Sequence, residues 1–94
     1  EQRELDREIL TYVREMQRLA PVVSAAVYRF LKRTRPQVTD MRVEDRMSYL
    51  VDSGDLKRKR EWSDGEAVVR YEITAHGQDV LDGVVAPADF RTEG

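Results

Sequence analysis

Residues 52–74 read DSGDLKRKREWSDGEAVVRYEIT. After the dipeptide Asp64-Gly65, residues 68–73 form an alternating apolar run. Before it, the run 56–62 begins with Leu56 and ends with Trp62, with five charged residues between them. Alternation with a period of two is typical of β-strands, and Asp-Gly favours the tight type I′ turn of a hairpin. The segment therefore predicts a β-hairpin. A two-residue loop also sets the register, and the predicted pairs are Leu56–Ile73, Lys57–Glu72, Arg58–Tyr71, Lys59–Arg70, Arg60–Val69 and Trp62–Ala67.

The predicted hairpin carries four consecutive cations, residues 57–60, on a chain whose formal net charge is −2. Residues 29–62 contain ten Lys and Arg against six Asp and Glu, a net charge of +4. The remaining residues contain six cations against twelve acids, a net charge of −6. A basic middle segment indicates a negatively charged polymer as the partner. The alternative is that these cations protect an exposed strand edge from pairing with another chain.

The segment before the hairpin predicts three helices. The first covers residues 3–19 and ends before Pro21, which lacks an N–H group. Its apolar residues recur at spacings of four and three, a pattern that also suits pairing with a second copy of the chain, and they are Leu5, Ile9, Tyr12, Met16 and Leu19. Residues 21–23 are apolar and favour a very short strand.

The second helix is predicted over residues 25–33, with Ser24 as its N-cap and Val27, Phe30 and Leu31 facing inward. The third is predicted over residues 40–53, with Thr39 as its N-cap and Gly54 just beyond its end. Its inward residues are Val43, Met47, Leu50 and Val51.

After the hairpin, Thr74 is expected to cap a short helix over residues 75–82, which Gly83 closes. Val80 and Leu81 would pack this helix onto the core. Residues 84–94 have no apolar period and are predicted to form a flexible tail. The predicted domain therefore covers residues 1–83.

Composition restricts the classes of function. The chain has 94 residues, enough for one small domain, and contains no cysteine, which favours a cytoplasmic protein. No apolar run approaches the ~20 residues that span a bilayer, so no membrane partner is expected. Gly-rich phosphate loops, nucleophile motifs and metal-ligand spacings are absent from the sequence, and the lone His76 is interpreted as a surface residue. We therefore expect a non-enzymatic protein with no cofactor and no metal.

The order of elements predicts an α+β fold, and particular residues resemble the winged helix-turn-helix domain. "MSYLVDSGDLKRKRE", residues 47–61, resembles the end of a recognition helix, its glycine stop and the first strand of the wing. "YEITAHGQDVL", residues 71–81, is similar to the second wing strand and closing helix of small bacterial regulators of the PadR and MarR type. Such regulators often carry Thr-Ala-Glu-Gly where this chain has Thr74-Ala75-His76-Gly77. The resemblance implies a three-helix core, a two-stranded wing and a short C-terminal helix.

The resemblance further implies a bacterial or phage transcription regulator that binds double-stranded DNA. Helix 40–53 would enter the major groove and the wing would contact the backbone or the minor groove. Arg42 could contact guanine bidentately, and Ser48 or Tyr49 could reach a phosphate. The predicted DNA-binding residues are Gln37, Thr39, Met41, Arg42, Asp45, Arg46, Ser48, Tyr49, Lys57, Arg58, Lys59, Arg60 and Trp62.

Two features leave alternatives open. Helix 40–53 is acidic for a recognition helix, with Asp45 on the face that would meet DNA, and this favours a winged-helix module that binds protein instead. Trp62 at the hairpin tip could stack on a base or a sugar, or it could cover apolar surface at the base of the wing or on a partner.

Overall fold

The computed structural model describes residues 2–83 and shows an α+β fold with four helices and a two-stranded antiparallel sheet. The predicted tail, residues 84–94, lies outside the described part of the chain. None of the helices within residues 2–83 has the length and apolar character needed to cross a bilayer. The elements in chain order are α1 (Gln2–Met16), α2 (Ser24–Thr34), α3 (Asp40–Asp52), β1 (Leu56–Ser63), β2 (Glu66–Ile73) and α4 (Ala75–Leu81).

Helix α1 is shorter at its C-terminus than the apolar period predicts. The predicted end at residue 19 is wrong, because the chain leaves the helix after Met16 and Leu19 lies 76% exposed. Pro21 disfavours helical backbone at the residue before it, and the amide oxygen of the Gln17 side chain accepts a hydrogen bond from the Ile73 N–H at 2.8 Å. The Gln17 side chain therefore contacts the sheet at the C-terminal end of α1, where the backbone N–H of Gln17 still donates to the Val13 carbonyl at 2.9 Å.

The apolar stripe of α1 packs into the core of its own chain. Leu5 and Ile9 are buried there, while Tyr12 and Met16 are partly buried at its margin. Leu19 lies beyond the helix. Leu5 and Ile9 are therefore not available to the predicted pairing of two copies along helix 3–19, whereas Tyr12 and Met16 keep part of their surface open, so the pairing stays a prediction.

Helix α2 begins one residue earlier than predicted. Val23 is the N-cap and contributes no side-chain bond, whereas the Ser24 hydroxyl donates to a carboxylate oxygen of Glu44 on α3 at 2.6 Å. The predicted capping role of Ser24 is therefore wrong. Phe30, expected inside, is 38% exposed because its ring lies against Tyr12 at the margin between α1 and α2, with 4.6 Å between the ring centroids.

Helix α3 confirms its predicted start and stop. The Thr39 side chain accepts a hydrogen bond from the Arg42 N–H at 3.1 Å, which satisfies one of the amides that a helix leaves free at its start. Gly54 follows the C-cap with φ +88°, a conformation that glycine adopts without strain. The residues of α3 that are buried in the core are Val43, Met47 and Leu50.

The hairpin confirms every predicted strand pair. Asp64 and Gly65 have φ values of 54° and 81°, and positive φ at both central residues is the requirement of a type I′ turn. The strands reach Ser63 and Glu66, so the ladder is longer at the tip than the apolar alternation alone predicts. The hairpin therefore extends as a regular ladder from its base to its loop.

The base of the hairpin is fixed by the core and by the segment before α2. Leu56, Tyr71 and Ile73 are buried, and the Tyr71 N–H donates to the Val22 carbonyl at 2.8 Å. The very short strand predicted at residues 21–23 is thus reduced to a single bridge at Val22. The side chains that form the core are Leu5, Ile9, Leu10, Val13, Val22, Val27, Leu31, Val38, Val43, Met47, Leu50, Leu56, Tyr71, Ile73 and Leu81.

Helix α4 closes the domain as predicted. The Thr74 hydroxyl accepts a hydrogen bond from the Gly77 N–H at 2.9 Å and donates toward the Gly54 carbonyl at 2.6 Å. Leu81 is buried, and Gly83 ends the helix with φ +79°. These contacts pack α4 against the turn between α3 and β1.

An ion pair inside the domain fixes α1 against α3. The Asp6 carboxylate accepts two hydrogen bonds from the Arg46 guanidinium, at 2.9 Å and 2.6 Å. Both side chains are largely buried, with 11% and 16% of their surface exposed. A bidentate pair in this position fixes the rotation of α3 about its axis, because Arg46 must face α1.

Replacing Asp6 with alanine is expected to lower the free energy of unfolding by about 2 kcal/mol, because the largely buried Arg46 would lose its carboxylate partner. Urea denaturation followed by circular dichroism measures the change. Glu8→Ala is the matched control, since Glu8 forms a bidentate pair with Arg35 that is more exposed. The control replacement should lower the free energy of unfolding by no more than about 1 kcal/mol. An equal loss in both variants would contradict the structural role of Asp6.

Candidate nucleic-acid interface

The hairpin has two faces, and one of them neutralises its own charges. On this face the Arg70 guanidinium lies 3.0 Å from a Glu61 oxygen and 3.2 Å from a Glu72 oxygen. The Lys59 ammonium lies 3.8 Å from Glu72. Lys59, a predicted DNA-binding residue, therefore belongs to an intramolecular ladder of alternating charge.

The opposite face continues onto α3. Arg58 donates a hydrogen bond from its guanidinium to the Ser48 hydroxyl at 2.9 Å, and its Cζ atom lies 5.6 Å from the centroid of the Tyr71 ring. Arg60 and Trp62 follow at every second residue of β1 and lie on the same side of the ladder. The side chains of Arg58, Arg60 and Trp62 therefore form a row that begins at the outer surface of α3 and ends at the hairpin tip.

Trp62 is 75% exposed at the far end of this row, opposite Ala67. The interpretation in which it covers apolar surface at the base of the wing is therefore wrong, because an indole so exposed covers little of its own chain. Stacking on a nucleic acid and contact with another protein both remain predictions for this side chain.

Lys57, Arg58 and Arg60 form no ion pair with any residue in the range 2–83. All three side chains are exposed. An exposed cation without a carboxylate partner can neutralise a phosphate without first breaking an internal ion pair. The hairpin thus offers three available cations, whereas Lys59 and Arg70 are already paired.

Helix α3 presents several of its predicted contact residues to solvent. Met41 is 71% exposed, and Arg42 and Asp45 are exposed beside it. Ser48 is half-buried under Arg58. Met41, Asp45 and Ser48 follow one another at spacings of four and three, which places them on one face of the helix. This face is the part of α3 that the hairpin's row of cations joins.

The turn before α3 adds two exposed residues, Gln37 and Thr39. The Thr39 oxygen accepts the Arg42 N–H as the N-cap. A hydroxyl that accepts one hydrogen bond keeps its own O–H as a donor. Thr39 can therefore cap the helix and donate to a phosphate at the same time.

Arg46 and Tyr49, two of the predicted DNA-binding residues, are both partly buried. The Arg46 guanidinium is held by Asp6, and its Cζ atom lies 4.4 Å from the centroid of the Tyr49 ring. Tyr49 is partly buried and packs against the core. Arg46 therefore fixes α3 to α1, on a side turned away from the Met41–Ser48 face. Tyr49 lies one turn after Asp45, at the edge of that face, so its contact with DNA stays a prediction.

Asp6, which holds Arg46 and so positions α3, is a residue whose role the sequence interpretation missed. It lies four residues before Leu10 and seven before Val13, both of which are buried. A charged residue within a buried stripe usually has a partner, so this spacing could have indicated an internal ion pair. The identity of the partner, 40 residues away in the chain, is visible only in the structure.

The acids of α3 divide into two groups. Glu44 accepts the Ser24 hydroxyl, which ties it to α2. Asp40, Asp45 and Asp52 are exposed. Asp45 lies on the face that joins the hairpin, and a carboxylate there repels phosphate but can accept a hydrogen bond from the N4 amine of cytosine.

His76 is not the plain surface residue that the sequence predicts. Its Nε2 atom lies 3.2 Å from the buried Oδ1 of Asp55, and only 30% of its side chain is exposed. The other oxygen of Asp55 accepts the Ser53 hydroxyl at 3.0 Å. His76 therefore helps to shield the Asp55 carboxylate from solvent beneath α4.

Among the residues from 2 to 83, no group of three or more His, Asp or Glu is arranged to hold a metal ion.

Neither protein-family models nor curated proteins match this chain.

Proposed function

We propose that this chain is a winged helix-turn-helix protein that binds double-stranded DNA and acts in transcription regulation. The observation that carries the proposal is the hydrogen bond between Arg58 and Ser48. It joins the cationic face of the hairpin to the outer face of α3, so that both can meet one duplex. In this arrangement α3 lies in the major groove and the hairpin follows the adjacent backbone.

The distribution of paired and unpaired cations supports the proposal. The hairpin neutralises Lys59 and Arg70 with its own acids and leaves Lys57, Arg58 and Arg60 without carboxylate partners among the described residues. If the cations served only to protect a strand edge, the side of the hairpin they occupy would not matter. Instead, the row of Arg58 and Arg60 is adjacent to the outer face of α3.

The outer face of α3 can read bases. Arg42 has the geometry for bidentate donation to guanine, and Asp45 can accept from cytosine, so the two could address opposite bases of a G·C pair. Met41 offers an apolar contact to a thymine methyl group. Asp45 also lowers the attraction of α3 for phosphate, which leaves most of the sequence-independent affinity to the hairpin.

A titration with generic duplex DNA at low salt tests the proposal. Trp62 is the chain's single tryptophan, so its fluorescence reports on the hairpin tip alone. We expect DNA to quench this emission and to raise the anisotropy, with half-saturation at or below about 10 µM, because non-specific affinities of 10⁻⁴–10⁻⁶ M at physiological salt tighten as salt falls.

The control for this titration is a polyanion without bases, such as heparin. Quenching by DNA but not by heparin would indicate that Trp62 contacts a base, whereas equal quenching by both would indicate backbone contact alone. Absence of any response to duplex DNA at tens of micromolar would reject the proposal.

The alternative function is a winged-helix module that binds another protein. Two exposed apolar side chains, Met41 and Trp62, favour it, together with the exposed acids Asp40 and Asp45 on α3. Such a surface suits a partner with apolar and basic side chains. The DNA titration separates the two functions, since the protein-binding module predicts no response.

A further inference from the structure

A groove with an apolar floor runs between α1 and α2. The floor is formed by Tyr12 and Met16 of α1 and by Phe30 of α2, and the rings of Tyr12 and Phe30 lie against each other. These side chains are only partly covered by their own chain. An apolar strip left open between two helices is the kind of surface that a partner covers.

The two walls of the groove carry opposite charges. The wall from α1 contains Glu4, Glu8 and Glu15, together with Arg7, which donates a hydrogen bond to the Leu81 carbonyl. The wall from α2 contains Arg29, Lys32 and Arg33. Helix α2 has no acidic residue at all. Glu8 is paired with Arg35, and Glu15 lies 3.9 Å from Arg14.

The two walls do not neutralise each other across the groove. Within residues 2–83, neither Glu4 nor Glu15 forms an ion pair with Arg29, Lys32 or Arg33. The apolar floor holds the walls apart. Among the residues from 2 to 83, Glu4 of the α1 wall and the three cations of the α2 wall form no ion pair, and the exposed Glu15 has only a 3.9 Å contact with Arg14. These charges remain available to a partner with the reverse arrangement.

We propose that this groove is the interface of a homodimer with two-fold symmetry. A two-fold axis brings the same patch of both copies together. When that axis runs along the groove, the α1 wall of one copy meets the α2 wall of the other. Every acidic wall then faces a basic wall, and the two apolar floors cover each other. The surface is therefore complementary to itself, which a second copy of the chain satisfies better than a partner of a single charge.

The proposed interface does not compete with the contact between α1 and α3. On a helix that advances 100° per residue, Glu4, Glu8, Thr11 and Glu15 all lie within about 40° of the direction opposite Asp6. Asp6 is the residue that holds α3 through Arg46. A second copy can therefore occupy the groove while the Asp6–Arg46 pair stays intact.

Charge reversal of each wall tests the dimer. One variant, Glu4→Lys/Glu15→Lys, makes both walls basic, and the other, Arg29→Glu/Arg33→Glu, makes both walls acidic. Sedimentation equilibrium on the full chain from about 5 to about 500 µM covers micromolar affinities. We expect a dimer for the unaltered chain and a dissociation constant at least about 100-fold higher for each variant alone, because like charges then face each other.

Mixing the two variants supplies the decisive measurement. A copy with two basic walls and a copy with two acidic walls restore every opposite-charge contact, so we expect a one-to-one heterodimer of the strength of the original dimer. Circular dichroism checks that each variant keeps its helices. A monomer at every concentration of the unaltered chain would overturn the inference, and so would a mixture that stays monomeric. A monomer that still binds DNA would overturn the dimer and leave the proposed function standing.

Discussion

The double replacement Lys57→Ala/Arg60→Ala is expected to weaken DNA binding about 50-fold at 0.1 M salt, on the estimate of one phosphate contact for each cation. The logarithm of the binding constant falls with the logarithm of the salt concentration by ~0.9 for each neutralised phosphate, so the slope should become shallower by about 1.8. Arg58 is left in place because its bond to Ser48 supports the hairpin's position against α3. Anisotropy of a labelled duplex, measured over a series of salt concentrations, gives both quantities.

The matched control is Arg3→Ala/Arg18→Ala, which removes the same charge from two exposed positions outside the hairpin and outside the groove between α1 and α2. It should change the slope little, because neither residue lies on the surface formed by α3 and β1. Equal slopes for the two double variants would mean that DNA responds to net charge and not to the hairpin, and the proposed interface would then be wrong. Lys59→Ala should have an effect between the two, since Lys59 is partly neutralised by Glu72.

Gly77→Ala is expected to lower the free energy of unfolding by roughly 3 kcal/mol. A Cβ atom at this position would overlap the carbonyl oxygen of Asp55 and lie 2.8 Å from Cγ1 of Ile73. The Asp55 carbonyl cannot turn away cheaply, because it accepts the Thr74 N–H at 3.1 Å. Over-packing against fixed backbone should lower the free energy of unfolding by about 4 kcal/mol, at the upper end of such changes. The higher helix propensity of alanine offsets ~1 kcal/mol of this loss.

Thermal denaturation measures this loss, which corresponds to a fall in the melting temperature of about 12–24 °C for a domain of this size. Gln78→Ala is the control, because Gln78 is exposed on the same helix and its replacement only changes helix propensity. A Gly77→Ala variant as stable as the Gln78→Ala variant would show that α4 does not pack closely against the turn before β1.

The local chemistry of the hairpin and of the helix ends could be read directly from the sequence. Asp64-Gly65 has one favourable conformation between two strands, and that conformation fixes all the strand pairs. Thr39 and Thr74 cap the helices that follow them, because a hydroxyl in that position satisfies an amide that the helix leaves free. These predictions, which rest on a few neighbouring residues, were therefore confirmed, whereas the same reasoning failed at Ser24.

The errors concern residues whose environment is set from a distance. The sequence predicts Arg46 to be a surface cation of α3, but in the structure its guanidinium pairs with the Asp6 carboxylate of α1 and is largely buried. Leu19 follows the apolar period of α1, but the chain leaves the helix after Met16, and Pro21 disfavours helical backbone at the residue before it. Ser24 is chemically suited to capping, yet Glu44 of α3 accepts its hydroxyl. Sequence spacing gives the direction of a side chain on its own helix and does not reveal which group on another helix it meets.

The division of the candidate interface into usable and occupied cations also depends on the structure. The sequence shows four equivalent cations in a row at 57–60, whereas alternation along β1 sends Lys59 toward Glu72 and Arg58 toward Ser48. The predicted strand register already places Lys57 and Lys59 on the side of Glu72. Which of these two lysines pairs with Glu72 depends on side-chain rotamers, which no local sequence pattern specifies.

The bridge between Val22 and Tyr71 couples the base of the hairpin to the helical core. These residues are 49 positions apart, and the segment that contributes Val22 also connects α1 to α2. Opening the base of the hairpin therefore requires that connection to move, which couples strand fraying to loss of the helical core. The amide proton of Tyr71 should accordingly exchange with solvent as slowly as those at the centre of the molecule, while amides near Asp64 exchange quickly.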